Sequence, residues 1–141
     1  MVDAADHKIE EKGRVAVTPF LDLVFVKNLG VSYGLFPTGG QAGQIALASF
    51  AVLSVLALTL WVARGDMNRI LAISIGLIMG GALGNALDRL LLGGVADFFQ
   101  LHAFGFYWYV FNIADVAIVA GVIGLLYDSY GPNQGSASKA P

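Results

Sequence analysis

The sequence has no cysteine, which excludes a disulfide framework and any thiolate metal site. Its two histidines, His7 and His102, are far apart and make a histidine-based metal site unsupported. Charged residues are scarce at 13%, where a soluble domain averages about 25%. The formal net charge of −2 leaves no basic footprint for nucleic acid. These shortages exclude a soluble, secreted, zinc-binding or nucleic-acid protein, and no metal or cofactor is expected. What is abundant points the same way: 57% of the 141 residues are hydrophobic, and 18 are glycine. Glycine is poor in soluble helix interiors but common in membrane helices. The chain reads as a small integral membrane protein of one domain.

The charges show where a bilayer would sit. Between Asn28 and Ala63 there is no Asp, Glu, Lys or Arg, and Ile45 to Ala63 is long enough to span the hydrocarbon as a helix. Ile70 to Leu87 reads as a second span, and Tyr107 to Tyr127, with Asp115 as its one charge, as a third. Arg64 and Arg69 lie in the short loop between the first two, which places that loop in the cytoplasm by the positive-inside rule. The Asp88–Gly105 region then lies at the outer face and the C-terminus inside. This order requires residues 1–44 to be outside. Yet the polar start from Asp3 to Lys12 has no apolar core to carry it across.

Residues 15–26 (VAVTPFLDLVFV) are β-branched and aromatic with partial alternation, and Pro19 argues against a helix interior. They are read as strands of a small platform at the outer interface, the alternative being an irregular loop. The fold expected is mainly α: a polytopic membrane helical bundle with that β platform. Residues 1–14 form a polar leading segment, 15–127 the membrane domain, and 128–141 a flexible tail. Gly76, Gly80 and Gly84 recur every four residues and predict a face for close helix packing.

Three carboxylates stand at or near membrane depth, where a charge is expensive and commonly marks function. Asp88 has adjacent Arg89 as partner, which favours a structural role. Asp115 has no basic neighbour in sequence, and Asn112 lies three residues earlier on the same helical face. It is open to a proton-relay, catalytic or buried structural reading. Asp97, in Gly93-Gly-Val-Ala-Asp97-Phe, follows a span, and a loop could return it beside Asp115. The aromatics from Phe98 to Tyr109 read as an interfacial belt. Asp22 reads as a surface residue of the outer face. Two carboxylates in one pocket share a proton, so one can activate water while the other donates to a carbonyl oxygen.

Three ordered blocks then carry a resemblance. Gly80-Gly-Ala-Leu-Gly84-Asn85-Ala-Leu-Asp88-Arg89, Gly94-Val95-Ala-Asp97-Phe98 and Phe111-Asn112-Ile-Ala114-Asp115 resemble the signature blocks of the lipoprotein signal peptidase (signal peptidase II) family. Asn28-Leu-Gly30-Val-Ser32-Tyr33-Gly34 is similar to its upstream Asn-x-Gly motif, with Tyr33 where the family more often has Phe or Trp. The resemblance implies a bacterial inner-membrane aspartyl endopeptidase with its active site near the outer face. Such an enzyme removes signal peptides from diacylglyceryl-modified prolipoproteins, before the lipid-modified cysteine. It implies Asp97 and Asp115 as the catalytic dyad. Asn28, Gly30, Asn85, Asp88, Arg89 and Asn112 would bind substrate or support the site, in a monomer surrounded by membrane lipids. The family usually has four spans, so the expectation is a gene product beginning upstream of Met1, or else a shortened member. Two other readings are a non-catalytic homologue that binds lipidated precursors and a proton-coupled transporter subunit using Asp115.

Overall fold

In lipid, an apolar run satisfies its own backbone most simply as a helix. Among the described residues, three runs do so: α1 (Gln41–Val62), α2 (Arg69–Leu92) and α3 (Ile113–Tyr130). Each is long and apolar enough to cross a membrane. The 22 residues of α1 extend about 33 Å, matched to roughly 30 Å of hydrocarbon. Hydroxyls inside the helices return to the preceding turn: Ser54 to Phe50 O at 2.8 Å, Thr59 to Val55 O at 2.8 Å and Ser74 to Ile70 O at 2.7 Å. No donor of theirs is left facing lipid. The computed structural model describes residues 14–30 and 40–132. The polar start with Asp3 and Lys8, the Ser32-Tyr33-Gly34 stretch and the tail beyond residue 132 lie outside the described residues.

The described residues divide into two units. The first holds the residues up to Ile45 together with Asp88–Asn112; the second holds Ala46–Leu87 and the residues from Ile113 onward.

The first unit is built on an antiparallel sheet in the order β1 (Val15–Thr18), β2 (Leu21–Asn28), β3 (Val95–Ala103) and β4 (Phe106–Phe111). The platform expected over residues 15–26 is therefore real, and it is twice as wide as its sequence signal. Strand β4 follows β3 through a two-residue turn, Phe104–Gly105, with φ of +52° and +78°. Paired positive φ values fit the right-handed twist of a tight hairpin, which is why glycine stands at one of them. The register fixes the faces. Asp22 lies opposite Gln100, while Val26 lies opposite Asp97 and Asn28 opposite Val95. Side chains alternate along a strand, so Asp97 and Gln100 point to opposite faces.

This corrects the start of the third span. The helix begins at Ile113 rather than Tyr107, and Phe98 to Phe111 are strand and turn residues. Ring pairs knit the strands: Phe99 lies 5.8 Å from Phe111 and Phe25 lies 5.6 Å from Phe98.

In the second unit, Asn68 opens α2 by accepting the Leu71 N–H at 2.9 Å, and its amide donates to Asp128 of α3 at 2.6 Å. The close packing falls on different glycines from those expected. A Cβ on Gly76 or Gly80 would meet nothing within 4 Å. One on Gly81 would meet Ala114 O and, at 2.6 Å, Ile118 Cγ1 of α3. One on Gly121 would meet Ile78 Cγ1 at 2.6 Å, and one on Gly124 would meet Ser74. The spacing of four did mark a glycine-rich helix, but the contact face is turned toward Gly81, with Gly84 at its margin.

Candidate active site

Asp97 sits near the start of β3 and is 2% exposed. It accepts a hydrogen bond from Asn112 Nδ2 at 2.9 Å, and Asn112 is itself buried. The sequence spacing puts Asn112 on the helical face of Asp115. It lies instead between β4 and α3, where its amide reaches Asp97. A buried carboxylate needs donors to offset its lost hydration, and an asparagine supplies one without adding charge.

Asp88 and Arg89 do not serve each other as expected. Asp88 Oδ2 accepts the N–H of Ala96 at 3.2 Å, which fixes the backbone directly before Asp97. Arg89 donates to Gly30 O at 2.6 Å and to Gln44 Oε1 at 2.9 Å. Consecutive residues of a helix point about 100° apart, so neighbours in sequence reach different partners. Gln44 also donates to Leu29 O at 2.7 Å, and Asn28 Oδ1 accepts the Gly30 N–H at 3.0 Å. Arg89 and Gln44 thus clamp the turn that the Asn28 side chain shapes. Sequence reasoning missed Gln44, although a buried glutamine opening an apolar helix was a readable signal.

In the second unit, Asp115 stands in the first turn of α3 and accepts a hydrogen bond from Asn85 Nδ2 of α2 at 3.1 Å. Placing a carboxylate at a helix start is favoured by the orphan N–H groups and the dipole there. Each candidate catalytic carboxylate is therefore held by an asparagine from another element. Both Asn85 and Asn112 were among the residues the motifs singled out.

Asp22 is not a surface residue. It is 4% exposed, with Arg14 Nε at 3.5 Å and His102 Nε2 at 3.1 Å. Arg14 also donates to Gln100 Oε1 at 3.0 Å and lies over the Tyr107 ring. This cluster occupies the sheet face opposite Asp97. The alternation of Leu21, Asp22 and Leu23 carries Asp22 inward beside Gln100, which a lone acid in an apolar run did not reveal.

The fold and these carboxylates define a class first: a multi-pass membrane protein with a small antiparallel sheet and two asparagine-held aspartates. Comparison with known proteins narrows it. The family described as signal peptidase (SPase) II matches residues 2–131, and the chain belongs to that family. Membership makes it a protease of signal-peptide processing. The lipoprotein signal peptidase of Rhodopseudomonas palustris is 52% identical over 126 residues, covering 86% of this chain and 76% of that protein. That of Methylorubrum extorquens is 50% identical over 125 residues, covering 89% and 70%. A bacterial membrane enzyme solved by the in meso method at 2.3 Å is 30% identical, with a TM-score of 0.69 over 84% of this chain and 74% of that one. A second such structure, at 1.9 Å, is 29% identical, with a TM-score of 0.71 over 84% and 76%.

Proposed function

We propose that this chain is an intramembrane aspartyl endopeptidase that removes the signal peptide from diacylglyceryl-modified bacterial prolipoproteins, cutting before the lipid-modified cysteine. Asp97 and Asp115 are its catalytic pair. The family match carries this reading, because the matched stretch contains both aspartates in the motifs the resemblance assigned to catalysis. The hydrogen bonds from Asn112 and Asn85 support it by holding each carboxylate in one orientation. In the reaction, the ionised member of the pair takes a proton from water as the oxygen attacks the scissile carbonyl carbon. The protonated member donates to the carbonyl oxygen. The tetrahedral intermediate collapses as a proton passes to the amide nitrogen and the C–N bond breaks. The products are a signal peptide ending in a carboxylate and a lipoprotein whose modified cysteine has a free amino group.

The setting follows from the substrate. An apolar signal peptide and a diacylglyceryl group both arrive within the bilayer, so the enzyme works in the bacterial inner membrane. Its site lies near the outer face, where water is available, and the Arg64–Arg69 loop is cytoplasmic. Residues 15–127 are the working domain and act as a monomer among membrane lipids. Asn28, Gly30 and Arg89 position the substrate backbone; Asp88 steadies β3 beside Asp97.

A cleavage assay tests this function. The purified chain in lipid bicelles should convert a diacylglyceryl-modified precursor to a product whose mass places the new N-terminus at the modified cysteine. The unmodified precursor should remain uncut. Equal cleavage of both precursors, or of neither, would overturn the reading. Within the same assay, Asn112→Ala and Asn85→Ala should each lower kcat by about 10–100-fold, the equivalent of one hydrogen bond to a charged group. Rates within twofold of wild type would show that neither asparagine positions a catalytic carboxylate.

A further inference from the structure

The first unit contains a cavity of roughly 520 Å³, lined by Arg89 of the proposed substrate-positioning set and by Lys27, to which no catalytic role is given. It opens where β2 ends, α1 begins and α2 ends. Lys27 and Arg89 contribute its charge, and no acidic residue is among the described residues that line it. Leu29, Ile45 and Leu90 supply apolar wall. The Lys27 ammonium is turned over one corner: a Cβ on Gly93 would lie 3.6 Å from its Nζ. Gly93 takes φ of +72° as it terminates α2, and its N–H bonds to Arg89 O at 3.1 Å. Among the described residues Lys27 makes no ion pair, whereas Arg89 is fixed by Gln44 and Gly30.

The position of this cavity restricts what can enter it. It is lined by the first turn of one membrane-spanning helix and the last turn of another. Such ends lie at the depth where hydrocarbon gives way to headgroups. A ligand at that depth with an anionic end and an apolar end is a membrane lipid. The charge pattern selects further. Two cations attract a phosphate, and the described lining residues offer no carboxylate to receive the ammonium of a zwitterionic headgroup.

We propose that this cavity binds the phosphate headgroup of an anionic glycerophospholipid. Lys27 and Arg89 face the phosphate, and the apolar wall meets the glycerol and first acyl carbons. The site shares Arg89 with the proposed substrate-positioning residues, but lipid retention is measured without turnover, so its failure is distinguishable from failure of the peptidase reading.

Native mass spectrometry of the delipidated chain in detergent, titrated with phosphatidylglycerol and phosphatidylcholine of matched acyl chains, tests it. Phosphatidylglycerol should bind at least about fivefold more tightly, the contribution of one cation near a lipid surface. Lys27→Gln should remove most of that preference. Gln41→Glu, which adds an opposing charge at an exposed lining position, should do the same. Equal retention of the two lipids by wild type, or an undiminished preference in both variants, would overturn the proposal. A parallel arm adds inorganic phosphate. If millimolar phosphate displaces the phosphatidylglycerol completely, the site takes a free anion and the lipid assignment fails; retained lipid supports it.

Discussion

Asp97→Asn and Asp115→Asn are each expected to abolish precursor cleavage, by about 10²–10⁴-fold, while the protein stays folded in the membrane. Asparagine keeps the size of the side chain and an oxygen that can still accept from Asn112 at position 97, or from Asn85 at position 115. It removes only the ability to be ionised or to deliver a proton. The loss therefore measures proton transfer rather than packing. The double variant should be little worse than either single one, because residues acting as one unit are not additive. Asp22→Asn is the matching control. Asp22 is buried like Asp97, but it lies on the other face of the sheet with Arg14 and His102. Its replacement should lower the melting temperature, since Arg14 and His102 lose the carboxylate that both contact. Cleavage at permissive temperature should stay within a fewfold of wild type. A melting temperature for Asp97→Asn or Asp115→Asn as low as that of Asp22→Asn would recast the lost cleavage as misfolding. Retained cleavage in either variant would refute the dyad.

The helices were legible because lipid leaves an uncharged run little choice, and α1 and α2 begin and end within five residues of their expected bounds. Strands β3 and β4 were not. Phe98 to Phe111 is apolar enough to pass for the start of a span, with no Asp, Glu, Lys or Arg in it to break the run. The overlooked signal was Phe104–Gly105, a two-residue turn between aromatic, β-prone runs. Candidate site residues were legible by type and motif, but their partnerships were not. Asn112 and Asp97 are fifteen positions apart and meet only because β3 and β4 form a hairpin. Arg89 was assigned to its neighbour Asp88, although a helix sends adjacent side chains in different directions. Such pairings depend on register and helix rotation, which a single sequence does not specify.

Helix rotation also supplies the other large effect. Gly81→Ala should destabilise the protein by about 1–3 kcal/mol, whereas Gly80→Ala should be neutral or stabilise it by up to about 1 kcal/mol. The two positions are adjacent in one helix and identical in sequence type, so intrinsic propensity predicts no difference between them. Packing does. A methyl on Gly80 enters open space, while one on Gly81 is driven against Ala114 O and Ile118. The backbone oxygen cannot rotate aside as a long side chain could, so α3 itself must move. Ala114 directly precedes Asp115, and a shift there alters the reach from Asn85, which stands at 3.1 Å. A catalytic group misplaced by about 1 Å can lose on the order of 10²-fold in rate. Gly81→Ala should therefore lose both melting temperature and kcat, with the lipidated precursor's KM little changed. Melting curves in detergent and cleavage rates in bicelles, measured on both variants, decide it. Indistinguishable behaviour of Gly80→Ala and Gly81→Ala would mean that α2 and α3 do not meet through Gly81, and that Asp115 is positioned by something other than this contact.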